Sequence, residues 1–191
     1  MNPLVLVHGI IDSSHVFEEM SDYFQNQGYE VYSLDLLPNY GIEDLRVLAQ
    51  QLKIYIDQNF SSTPKINLIG FSMGGLITRY YLQRLGGLKK VEKYISISAP
   101  NNGTKMAHIL PLKGITQMRP DSDFLKDLNS DVKAQFSKLK TLILWTPFDL
   151  MIIPANSSCL GFCQEKEVDV LYHKWMLSDQ RVFKEIKNFL G

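Results

Sequence analysis

The chain is poor in cysteine, in net charge and in long apolar runs, and each shortage removes a class of protein. Only Cys159 and Cys163 occur, in CLGFC, so a disulfide framework of the kind that staples small secreted domains is excluded. Free thiols are expected, with one small loop-closing bridge as the alternative. Twenty Lys plus Arg balance twenty Asp plus Glu. No basic cluster supplies the stripe that phosphate backbones require, which argues against nucleic acid as a partner. No apolar stretch approaches the roughly 20 residues of a membrane span, and the start MNPLVLVH lacks the basic opening of a signal peptide. A cytoplasmic protein is expected, with transient peripheral contact at a membrane surface left open. The four histidines, His8, His15, His108 and His173, show no HExxH spacing and there is no paired Cys-x-x-Cys. Neither a metal nor another cofactor is therefore expected.

What is present is an ordinary globular composition over 191 residues, enough for one domain with a core that needs no staple. Leu4 to Val7 is apolar without alternation, as in a strand covered on both faces. Val16, Phe17, Met20, Tyr23 and Phe24 follow at helical spacing, with Gly28 as the stop. Glu30 to Leu36 is predicted to be strand, Ile42 to Phe60 a long amphipathic helix, and Lys65 to Ile69 strand again. GFSMGG then turns into an apolar helix running to about Leu85. Lys93 to Ser98, Leu139 to Trp145 and Glu167 to Leu171 complete six predicted strands, and Leu177 to Leu190 forms a closing helix. Residues 100–137 contain Gly103, Pro111, Gly114 and Pro120 and no strand pattern. They are predicted to be an irregular excursion with short helices, a solvated connection without the sustained amphipathic pattern of a large lid. Strands alternating with helices predict a single α/β domain over residues 1–191, a mainly parallel sheet with helices on both faces.

In such sheets functional residues gather beyond the carboxyl ends of the strands. Gly70-Phe71-Ser72-Met73-Gly74 follows the third strand and matches a nucleophile elbow, in which a tight strand-to-helix turn lifts a serine clear of the backbone. A serine hydroxyl is a weak nucleophile and needs a base, which in turn needs a group to orient it. His173 follows the last predicted strand and is the best base; His8 is better suited to bracing its own loop. Asp149, after the fifth strand in WTPFDLMIIP, is the best orienting carboxylate, with Asp169 and Asp179 as alternatives. Ile10, Ile11, Phe71, Met73, Leu150, Met151, Ile152 and Ile153 cluster near these loops, and of them Ile11, Phe71, Leu150, Met151 and Ile152 are the candidates to line an acyl groove.

The order Ser72, Asp149, His173, together with VLVHGI, GFSMGGL, SAPNNGT and YHKWML in sequence, resembles small α/β-hydrolases of the lipase and esterase group, in particular minimal bacterial lipases without a large lid. The resemblance implies a minimal α/β-hydrolase fold of about six strands that lacks the first antiparallel strands of larger members. It also implies an oxyanion hole formed by the backbone N–H groups of Met73 and Ile10, with Ile10-Ile11 standing where some esterases have glycines. The function expected is a serine carboxylic-ester hydrolase acting on acyl lipids or hydrophobic esters through an acyl-enzyme. A thioesterase or acyltransferase with the same residues is the alternative within enzymes. A non-catalytic lipid-binding module is the alternative outside them.

Overall fold

The computed structural model, which describes residues 1–191, buries all four side chains of β1 (Leu4–Val7). Successive side chains of a strand point to opposite faces, so this burial requires cover on both sides. Leu4 and Leu6 pack in one apolar cluster with Phe17, Phe24, Val182 and Phe183, while Val5 and Val7 pack in another with Leu48, Leu52, Leu76 and Leu128. The remaining elements are α1 (Glu18–Asn26), β2 (Val31–Leu34), α2 (Leu45–Asn59), β3 (Ile66–Phe71), α3 (Met73–Arg84), β4 (Val91–Ile97), α4 (Lys113–Thr116), α5 (Asp123–Gln135), β5 (Lys140–Trp145), β6 (Gln164–Glu167) and α6 (Gln180–Leu190). Helices α1 and α6 contribute to the first cluster, and α2, α3 and α5 to the second.

The six strands lie in the order β2-β1-β3-β4-β5-β6, and every neighbouring pair is parallel. The winding reverses at β1, which has β2 on one side and β3 on the other. After β1 the chain leaves for α1 on one face, and after β3 it leaves for α3 on the opposite face. Loops that part in this way open a crevice beyond the carboxyl ends of the two strands, the usual ligand position in parallel sheets.

Several elements differ from the sequence-based expectation. The last strand is β6, earlier than Glu167 to Leu171, and its polar QEKE is mostly exposed. An edge strand pairs on one side only and needs no apolar alternation. Val168 and Val170, which carry the apolar signal, lie beyond the ladder and pack into the cluster that holds α6. Residues 100–137, in turn, are not a solvated connection. Beyond Pro120, Ser122 caps α5 by accepting the Leu125 N–H at 3.2 Å, and α5 buries Phe124, Leu125, Leu128 and Val132. Its apolar spacing is regular, but the prolines and glycines just before it mask the pattern.

Helix α2 begins at Leu45 rather than at Ile42 because Asp44 caps it. The Asp44 carboxylate accepts from the Arg46 N–H at 2.9 Å and from Gln117 Nε2 at 2.7 Å, and Gln117 Oε1 accepts the Leu45 N–H at 2.8 Å. The cap therefore ties α2 to the segment after α4. Burial pushes the Asp44 carboxyl up, but the Gln117 and Arg46 donors outweigh it and leave the group below the ordinary carboxylate range. A carboxyl lowered on folding stabilises the protein above its unfolded value near about 4, and that contribution is lost as pH falls through the folded value. Asp44→Ala is expected to cost about 1–2 kcal/mol in urea unfolding at neutral pH. The difference from wild type should shrink below about pH 4; a pH-independent difference would show that the carboxylate charge is not its source.

Candidate active site

Strand β3 ends at Phe71 and α3 starts at Met73, so Ser72 alone makes the turn, with φ 52° and ψ −126°. For a residue with a Cβ this conformation costs roughly 1–3 kcal/mol and persists only when the surroundings enforce it. They do so here: the Ser72 N–H donates to Ile97 O at 2.9 Å, and its carbonyl accepts the Gly75 N–H at 2.9 Å. A serine in this N-cap position ordinarily accepts a helix N–H, yet the Ser72 side chain makes no capping bond. Its hydroxyl is not consumed by the fold. Gly74 is required because a Cβ there would lie 2.3 Å from Val7 O and 2.4 Å from His8 O, against the end of β1. Gly9 keeps the loop after β1 near the same turn, since its Cβ would meet Ser72 Cβ at 3.0 Å.

His173 opens a short 3-10 turn (His173–Leu177) beyond β6. Its Nδ1 lies 2.7 Å from Asp149 Oδ2, with both side chains largely buried. The other Asp149 oxygen accepts the N–H groups of Met151 and Ile152 at 2.9 Å each, which holds the carboxylate in place. With Nδ1–H donated to Asp149, Nε2 is left with its lone pair. The alternative carboxylates are placed elsewhere: Asp179 caps α6 and pairs with Arg181, and Asp169 is exposed. The structure thus joins Asp149 to His173 directly. Ser72 is hydrogen-bonded to neither and is linked to the histidine through its neighbour Phe71, whose ring centroid lies 4.8 Å from that of the imidazole.

The amides of Ile10 and Met73 donate to no protein acceptor, whereas the next amide, Ile11 N–H, donates to Asn39 O at 3.1 Å. The loop that carries Ile10 is braced by fully buried His8. Nε2 of His8 accepts the Leu36 N–H at 3.0 Å, so Nδ1 carries the proton and donates to Gly9 O at 2.8 Å. Both ring nitrogens are engaged, which leaves His8 no free base.

An apolar cavity of about 210 Å³ opens at Ser72. Of the groove candidates, Ile11, Met151 and Ile152 line it, and Ile10 joins them. Phe71 and Leu150 do not. Phe71 lies in the core beneath His173, because it is the last residue of a fully buried strand. Leu150 is 70% exposed, since the turn that fixes Asp149 directs the next side chain to solvent. Much of the wall comes instead from the excursion after β4, with Met106, Ala107, Ile109, Leu110, Ile115 and Met118. The spacing of Met106, Ile109 and Leu110 is that of one helical face, and it is the sequence signal that marks them.

No group of three His, Cys, Asp or Glu is placed to hold a metal ion, and no helix is long and apolar enough to cross a membrane. Cys159 and Cys163 are unbridged, and burial, together with nearby Glu165, pushes both thiols up to about 12.

A family model described as alpha/beta hydrolase fold matches residues 2–115. Lysosomal thioesterase PPT2 of Mus musculus is 34% identical over 107 residues, covering 53% of this chain and 34% of that protein. A triacylglycerol lipase of Pseudarthrobacter phenanthrenivorans is 31% identical over 114 residues, covering 55% of this chain and 35% of that protein. The chain therefore matches about a third of the length of either relative. Among solved structures, the mature form of the Bacillus licheniformis lipase BlEst2 superposes with a TM-score of 0.82 at 18% identity, over 100% of this chain and 92% of that one. At that identity the likeness concerns the fold.

Proposed function

Because the chain belongs to the alpha/beta hydrolase fold family, we propose that it is a serine ester hydrolase whose chemistry runs through Ser72, His173 and Asp149. The observation that carries this reading is the 2.7 Å Asp149–His173 hydrogen bond beside a strained serine that caps nothing. Asp149 holds the imidazole in the tautomer whose Nε2 takes the Ser72 proton as Oγ attacks the acyl carbonyl. The unpaired amides of Ile10 and Met73 receive the oxygen of the tetrahedral intermediate. His173 then returns the proton to the departing group, and water releases the acid by the same route in reverse. The cavity at Ser72 takes the acyl chain, each buried methylene contributing up to about 0.8 kcal/mol.

Thioesters are a second substrate class for the same machinery, favoured by the matched relative named as a thioesterase. Oxygen esters and thioesters share the acyl carbonyl and differ in the leaving atom. A fluorophosphonate probe is expected to label Ser72, and p-nitrophenyl esters of increasing chain length should be turned over faster as the acyl chain fills the cavity. Acyl-thioesters of the same chains decide between the two classes. Labelling without release of acid from either class would point to acyl transfer. Neither labelling nor turnover would leave a lipid-binding module and overturn the enzyme reading.

A further inference from the structure

A second, polar hollow of about 560 Å³ adjoins the apolar cavity, and Ile11 lines both. Its polar lining includes Asp12, Ser13, His15, Asp35, Tyr40 and Lys174. Resting on the hydrolase reading above, we propose that this hollow is the leaving-group subsite and that it takes an uncharged, hydroxyl-bearing alcohol such as a glycerol or sugar head group.

Position is the first argument. The departing alcohol receives its proton from the histidine and so leaves on that residue's side. Lys174 follows His173 directly, and its ammonium donates to Asp12 Oδ1 at 2.6 Å. Asp12 in turn sits two residues beyond Ile10, and its backbone carbonyl accepts from the buried Asn39 side chain. The hollow is therefore built between the loop of the proposed oxyanion donor and the turn of the proposed base, where the alcohol half of an ester lies once its acyl half enters the apolar cavity.

Chemistry is the second argument. The Ser13 and Tyr40 hydroxyls and the His15 ring have no hydrogen-bond partner in the protein, and Asp35, whose Oδ1 accepts the Ser14 N–H at 2.6 Å, has acceptor capacity to spare. Donors and acceptors are thus available for several hydroxyl groups, and exposed Leu37 and Tyr40 offer an apolar wall to their C–H faces. The charged groups facing the hollow are Asp12, Asp35 and Lys174, with His15 and Tyr40 the further titratable ones. The one ammonium is already paired with Asp12. Asp35 has no cationic partner, and the Ser14 N–H holds its carboxyl below the ordinary range, so it is ionised at neutral pH. An uncompensated carboxylate accepts strongly from hydroxyl donors and repels phosphate and carboxylate groups.

The experiment compares three octanoyl esters, those of glycerol, of ethanol and of glycerol 3-phosphate, by kcat/KM. The glycerol ester is expected to exceed the ethyl ester by about tenfold, the worth of one hydrogen bond to a charged acceptor, and the phosphorylated ester to be poorer than the glycerol ester. Tyr40→Phe removes a hydroxyl with no protein partner, and Asp35→Asn retains an acceptor for Ser14, so neither variant threatens the fold. Each should shrink the glycerol-to-ethyl ratio several-fold, and Asp35→Asn should also relieve the discrimination against phosphate. Equal rates on the glycerol and ethyl esters, or variants that lower both alike, would overturn the subsite while leaving a working hydrolase. No turnover of any of the three esters, with Ser72 unlabelled, would overturn the hydrolase reading and the subsite with it.

Discussion

Ser72→Ala is expected to lower ester turnover by about four to six orders of magnitude, and His173→Ala by a similar factor. The double variant should be scarcely worse than either alone, because in the proposed mechanism nucleophile and base act as one unit and removing either removes the attacking alkoxide. Asp149→Ala should cost less, since in the proposed mechanism the carboxylate orients and stabilises the base without itself exchanging a proton with substrate. The structure gives Asp149 no substitute: Asp179 is committed to the α6 cap and Asp169 is exposed. Initial rates on a soluble ester, with circular dichroism to verify folding, provide the measurement. Near-normal turnover by Ser72→Ala would sink the mechanism, and undiminished turnover by Asp149→Ala would remove that residue from it.

Gly74→Ala is expected to lose the fold or to destabilise it by more than about 4 kcal/mol, the range reached when a new side chain is forced into packed backbone. The added carbon would lie 2.3 Å from Val7 O and 2.4 Å from His8 O. Both obstacles are main-chain oxygens at the end of β1 and the start of the loop that follows it, so no side-chain rotation relieves the clash. Either α3 retreats from β1, moving the Met73 amide and Ser72 away from the Ile10 loop, or the two ends of the crevice separate. Both routes abolish activity along with stability. Urea unfolding of the purified variant measures the effect; a midpoint near that of wild type, with activity retained, would mean that α3 does not need this approach to β1.

Both outcomes concern residues that the amino-acid sequence singles out. GFSMGG announces its turn because a strained serine between strand and helix requires glycine nearby, and LVLV announces a doubly covered strand because four successive apolar residues call for cover on both faces. Asp149 and His173 are legible as polar residues beyond strand ends. Their pairing is expected from the order of the three residues, but its geometry is not legible, because a 2.7 Å bond between residues 24 positions apart depends on how two loops fold back over the sheet edge.

Where the local pattern is silent or misleading, the cause is physical. QEKE has no apolar period because an edge strand exposes much of its surface, so apolar Val168 and Val170 draw the predicted strand too late in the chain. Proline and glycine upstream hide α5, whose amphipathic face has meaning only against its neighbours. Phe71 and Ile11 are alike in being apolar and adjacent to the site, yet one ends a buried strand and the other, 71% exposed, walls a cavity. Most of the elements, and the residue types at their ends, are set by the order of amino acids alone, because turns, caps and periodicity are interactions among near neighbours. Which apolar side chains face the core and which the cavity is settled by packing in three dimensions, as is the setting of Asp12 against Lys174 beside a polar hollow. Those choices follow from the winding reversal at β1, where loops distant in sequence converge on one edge of the sheet.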